Sequence, residues 1–166
     1  MQQWPLAFNP HHYGSEVAAL LAEPRLAELG PGQPVLSVEP QLRRLKLSPA
    51  CRAGLWLYFD FLDESHRISQ DLATAEGSFW HAIMHRREPD AWNSKYWWRR
   101  VGHHRVIDQL RQLAPVLGYH YTTPEDFVDY CEKVRGTAST QEEVARQVQL
   151  LEWQLLFDHC YRQTTG

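Results

Sequence analysis

Residues 48–64, SPACRAGLWLYFDFLDE, decide the fold class. Ser48 followed by Pro49 is a helix start: the serine hydroxyl accepts an orphan amide of the first turn, and proline, with no amide to offer, fits that turn without loss. From Leu55 to Leu62 the chain is apolar except at Asp60, without the alternation of a half-buried strand. This predicts a helix from Pro49 to about Glu64. A surface helix shows a single apolar stripe, whereas this one is apolar almost all round and is therefore the expected central helix.

Working outward from it, the same signals recur. Thr74 caps EGSFWHAIMHRRE, which Pro89 ends; Asp90 caps AWNSKYWWRRV, closed by Gly102; RVIDQLRQLAPVL follows, limited by Pro115. Thr123 and Pro124 open PEDFVDYCEKV, which Gly136 terminates. Thr140 and Glu143 form a capping box ahead of EEVARQVQLLEWQLLFDHCYR. In that last helix Val144, Val148, Leu151 and Leu155 face inward, with Glu142, Arg146, Gln149 and Glu152 outward. Upstream, SEVAALLAEPRLAEL is capped by Ser15, kinked or split at Pro24 and ended by Gly30; GPGQPVLSVEP then reads as an extended connector. The expected fold is all-α, a single bundle of about six helices over residues 1–166, with a Pro/Gly-rich connector near the N-terminus.

With 43% hydrophobic and 12% aromatic residues, a chain of 166 residues can build the core of one domain. A formal charge of -3 gives no overall pull toward nucleic acid or anionic membrane, so neither is expected as a partner. The opening MQQWPLAFNPHHYG has no basic-then-apolar leader, and no apolar run is long enough to span a bilayer, which points to the cytoplasm. Cys51, Cys131 and Cys160 lie far apart and form no CxxC, so neither a disulfide framework nor a thiolate zinc site is expected.

Charge is uneven along the chain. HAIMHRREPDAWNSKYWWRRVGHHR, residues 81–105, holds six Lys or Arg against two acids, a local +4 inside a chain of -3. His81, His85 and Glu88 fall at i, i+4 and i+7, along one helix face. Two imidazoles four apart can chelate one divalent metal; the same pair also suits a hydrogen-bonded core layer. Asp63 and His66, at the end of the apolar helix, could add ligands, and Glu64 could orient a histidine. The competing account is that these acids are offset by Arg67 and by arginines of the basic segment. No ExxH occurs, so a di-iron bundle site is not indicated.

Arg86, Arg87, Arg99 and Arg100 offer guanidinium forks beside Trp92, Tyr96, Trp97 and Trp98, a combination that would hold an anionic, planar molecule. Internal pairing of the same arginines with Asp60, Asp63, Glu88 and Asp90 would consume them instead. GxSxG, a Gly-rich phosphate loop and HExxH are all missing.

WHAIMHRREPDAWNSKYWWRRVG resembles a segment of an uncharacterised family of bacterial proteins with an HRRE-x-D core followed by Asn and Tyr-Trp. The resemblance runs from Gly54 to Gly102, and the matching positions are His81, His85, Arg86, Arg87, Glu88, Asp90, Asn93, Tyr96 and Trp97. It implies membership without an activity or cofactor.

The expectation is a ligand-binding protein or enzyme that holds a small anionic molecule where the helix after Pro49 meets the two helices flanking Pro89. His81, His85, Glu64 and Glu88 would be its acid/base groups, and Arg86, Arg87, Arg100, Asn93, Tyr96 and Trp97 its ligand contacts. A divalent metal would sit on His81, His85, Asp63 and His66. The rival is a structural or protein-interaction module with a Trp/Arg-rich surface.

Overall fold

The computed structural model describes residues 4–165. Among them the regular structure is helical, with no strand. Where about six helices were expected, the described residues form nine: α1 (Ser15–Leu20), α2 (Glu39–Arg44), α3 (Pro49–Tyr58), α4 (Leu62–Ser69), α5 (Ala75–Arg87), α6 (Ala91–Val101), α7 (Arg105–Leu113), α8 (Pro124–Val134) and α9 (Thr140–Thr165). Short 3-10 turns cover Pro10–Tyr13, Leu36–Val38 and Ala114–Leu117. No helix of the described residues is long and apolar enough to cross a membrane.

Four helix starts follow from local cap chemistry. Ser48 accepts from the Cys51 amide at 3.3 Å, Thr74 from Gly77 at 3.0 Å, Asp90 from Asn93 at 3.1 Å and Thr123 from Asp126 at 3.1 Å. At α9 the cap lies one residue before the expected Thr140: Ser139 Oγ accepts the Glu142 amide at 3.1 Å. The Glu142 carboxylate reaches back to the amides of Gly136 and Ala138, both at 2.7 Å.

The predicted helix 49–64 is two helices. Asp60 has φ 68°, and around it the Asp60 amide donates to Leu57 O at 3.1 Å and the Phe61 amide to Trp56 O at 2.9 Å. That is the Schellman termination usually given to glycine, here taken by aspartate, the kind of short polar residue that tolerates left-handed backbone. The Asp60 side chain explains the choice. Its carboxylate is buried and accepts from Arg87 Nη2 at 2.6 Å, from the Gln33 amide at 3.2 Å and from Arg25.

The segment 15–29 also departs from expectation. α1 ends at Leu20, ahead of Pro24, and Ser15 is its first helical residue, with Gly14 in the cap position. The irregular backbone that follows is satisfied by side chains. Leu26 O and Ala27 O accept from Arg146 at 2.6 and 3.0 Å, Glu28 O from Gln149 at 3.0 Å, and Gly30 O from Arg87 at 3.0 Å.

The central helix is α5 rather than α3: every residue from Gly77 to Arg87 is buried, and it packs on α3, α4 and α6. Its polar letters disguise this, because each charged group is neutralised inside. Arg86 pairs with Glu152 at 2.7 and 3.1 Å and with Gln149 at 3.2 Å, so Glu152 and Gln149, expected outward on α9, point inward. Burial works against the Arg86 charge, but Glu152 outweighs it and holds the guanidinium above its usual range. α3 meets α5 at Gly54, where an added Cβ would lie 2.6 Å from the Trp80 ring; Trp153 Nε1 of α9 donates to Gly54 O at 2.7 Å.

Candidate metal centre

His81 and His85 are one helical turn apart on α5, and their rings stack at 4.7 Å with 21° between planes. The corner at Asp60 turns α4 so that His66 meets both, at ring distances of 4.7 Å to His81 and 5.3 Å to His85. One ligand nitrogen from each of the three lies within 4.8 Å of the others. A tetrahedral zinc with about 2.0–2.1 Å bonds needs nitrogens roughly 3.3 Å apart, so modest ring rotation closes the set.

The hydrogen bonds decide what these rings can do. His85 Nδ1 faces Glu88 Oε2 at 2.8 Å, which puts its proton on Nδ1 and leaves the Nε2 lone pair free. Neither His66 nor His81 has a side-chain hydrogen-bond partner among the described residues, and the His81 Nδ1 atom is fully buried without one. His81 is 3% exposed, its outer face covered by Trp97, whose ring stacks on it at 3.8 Å.

Burial pushes the His81 pKa down to about 3, and the neighbouring His85 and His66 add to that. Burial also lowers His66, reinforced by His85 and opposed by Glu88 and Asp63. These two imidazoles are therefore neutral at ordinary pH, the form that ligates metal.

The remaining predicted residues divide. Asp63 is exposed and outside the ligand group, although its charge acts on His66. Glu64 binds Arg67 at 3.0 and 3.1 Å and Arg43 at 3.6 Å instead of orienting a histidine. Arg86 and Arg87 are consumed internally, Arg87 by Asp60, Leu57 O and Gly30 O, and so do not face a ligand. Asn93 Nδ2 donates to Asp90 at 2.6 Å, and Asp90 itself comes within 4.8 Å of the His85 and Glu88 ligand atoms. Arg100 lies over Trp97 at 5.3 Å and over the half-exposed Tyr96 at 5.9 Å. A surface hollow of about 400 Å³ reaches Glu88, with Asp60, Asp63 and Glu64 in its wall and no cation.

A second histidine group went unread in the sequence. Glu76 Oε1 accepts from His104 Nε2 at 3.2 Å, His159 Nε2 at 3.0 Å and Gln163 Nε2 at 3.4 Å. His104 Nδ1 in turn accepts the Val106 amide at 3.1 Å as the cap of α7. With Glu76 and His104 28 positions apart, and Glu76 and His159 83 apart, no local spacing could have announced it. Burial raises the Glu76 pKa, and its own amide, His104 and His159 outweigh that, leaving it below the usual carboxylate value.

No protein-family model, curated protein or solved structure matches this chain.

Proposed function

We propose that this protein binds one divalent transition-metal ion of the zinc type through His66, His81 and His85, and uses it in metal-assisted hydrolysis of a small molecule. The observation that carries the reading is the set of three imidazole nitrogens within 4.8 Å, two of the rings having no hydrogen-bond partner among the described residues. Three neutral nitrogens without thiolate suit zinc, and three protein ligands leave a position for water or substrate, as in hydrolytic rather than structural sites. A bound ion of this kind acidifies a coordinated water and polarises a substrate oxygen.

The chain's own residues supply the rest. Glu88 holds His85 in the tautomer that presents Nε2, and Trp97 fixes the plane of the His81 ring. Glu88, at the edge of the acidic hollow, is also the carboxylate best placed to take a proton. Three buried free cysteines suit a reducing compartment, which supports a cytoplasmic location.

The test is metal content per chain by plasma mass spectrometry on protein purified without chelator, wild type against His85→Ala. About one ion per chain, lost in the variant, is expected. Metal-free wild type that also refuses added zinc, manganese and iron would sink the reading. A second reading, a protein-interaction surface, is favoured by Trp92, which is 73% exposed with its ring near-parallel to Tyr96 at 6.4 Å.

A further inference from the structure

Four arginines in this region, Arg86, Arg87, Arg99 and Arg100, have the chemistry to hold an anion, and the fold spends two of them. Arg86 and Arg87 are buried in ion pairs with Glu152 and Asp60. Arg100 is exposed and has no carboxylate partner among the described residues; it rests over the rings of Trp97 and Tyr96. Trp97 in turn stacks on His81, so a metal ligand, an indole and a guanidinium follow one another at 3.8 and 5.3 Å.

The surfaces on the α4 and α6 sides of the histidines differ in sign. On the α4 side the hollow carries Asp63 and Glu64 and is closed by Glu88, which repel an anion. The α6 side is the reverse: from Ala91 to Val101 there is no acid, and Lys95, already paired with Asp129 at 2.7 Å, Arg99 and Arg100 supply positive charge. An ion held by three neutral imidazoles keeps its full positive charge, with Glu88 the nearest compensation, and so favours an anionic ligand in its open position.

We infer that the substrate of this centre carries an oxyanion, a carboxylate or phosphoryl group, which Arg100 holds on the α6 side while another of its atoms reaches the ion. The inference rests on the metal reading above. Arg100 is then a specificity-determining residue, its guanidinium lying 5.3 Å from the Trp97 ring and 5.9 Å from the Tyr96 ring with its fork unpaired to any carboxylate among the described residues.

The experiment uses the full chain loaded with cobalt(II), whose visible spectrum reports ligands entering the coordination shell. Cobalt per chain is measured first in wild type, Arg100→Gln and Arg100→Lys, and each is then titrated with inorganic phosphate, with acetate and with neutral imidazole. Arg100→Gln is expected to keep one cobalt and an unchanged response to imidazole, while its affinity for phosphate, for acetate or for both falls about tenfold or more. Arg100→Lys should recover part of that loss, because charge returns without the fork. The anion that responds identifies the group. Equal anion affinities in wild type and Arg100→Gln, or no anion response in wild type, overturn the inference and leave the metal reading intact. A chain that holds no cobalt overturns the metal reading itself, and this inference with it.

Discussion

The two histidine groups on α5 use the same side chains to opposite ends. Near the start of the helix, Glu76 collects the Nε2 protons of His104 and His159, and His104 spends its other nitrogen on the amide of Val106. An imidazole with one nitrogen accepting and the other donating has no lone pair left for an ion, so His104 cannot ligate without uncapping α7, although Glu76, His104 and His159 also bring ligand atoms within 4.8 Å of one another. Further along, the His66 and His81 rings have no hydrogen-bond partner among the described residues, and His85 spends only its Nδ1 proton. Counting histidines therefore says little; counting their uncommitted lone pairs separates a structural knot from a site.

The sharpest way to break this contrast is metal binding. His81→Ala should drop zinc from about one per chain to none, whereas His104→Asn, which keeps an acceptor for the Val106 amide, should leave it unchanged, both read by plasma mass spectrometry. Equal loss in the two variants would erase the distinction. A third polar group on α5, Arg86 with Glu152, is completely buried; both guanidinium Nη atoms are paired, and Arg86 Nε has no partner among the described residues. Glu152→Ala should destabilise the fold by about 3–5 kcal/mol in urea unfolding, because it strands a buried guanidinium.

Smaller effects sharpen the comparison. Glu88→Gln should weaken zinc about 10- to 100-fold in calorimetric titration, since it lowers the basicity of His85 without removing a ligand. The smallest is a pH effect in the Glu76 group. Burial lowers the His104 pKa below its ordinary 6.5, with Glu76 opposing, and Glu76 is itself held below 4.5. Both shifts are depressions, so the stability they contribute is present above the unfolded values and is lost on acidification: from 6.5 downward for His104, and from 4.5 downward for Glu76. Apo wild type should lose stability between pH 7 and 4, with a slope of at most about 1.4 kcal/mol per pH unit for each group, and His104→Asn should flatten the upper part of that curve.

What could be read in advance was local. Ser48, Thr74, Asp90 and Thr123 cap where their hydroxyl or carboxyl positions dictate, because a cap involves residues only three apart. His66, His81 and His85 were also nameable, from residue type and from the i, i+4 repeat. The break at Asp60 was not, since it depends on Arg25, Gln33 and Arg87 arriving from 27 to 35 residues away. The same holds for α5: a helix with His81, His85, Arg86 and Arg87 looks half-solvated until Glu152, 66 residues from Arg86, is seen to meet it. Glu64 follows the competing account given for it, a pair with Arg67 three residues away.

The corner at Asp60 has one further consequence. Because its carboxylate ties the turn to α5 through Arg87 and to the N-terminal segment through Arg25 and Gln33, the angle between α4 and α5 is set when the chain folds. His66 is thus held beside its partners by a tied corner, so that an ion bound as proposed would need ring rotation alone to complete its chelate. Little ordering entropy remains to be lost, so the far-ultraviolet spectrum should be the same with and without metal, and the ion should act as a tenant of a finished room rather than as a nucleus for folding.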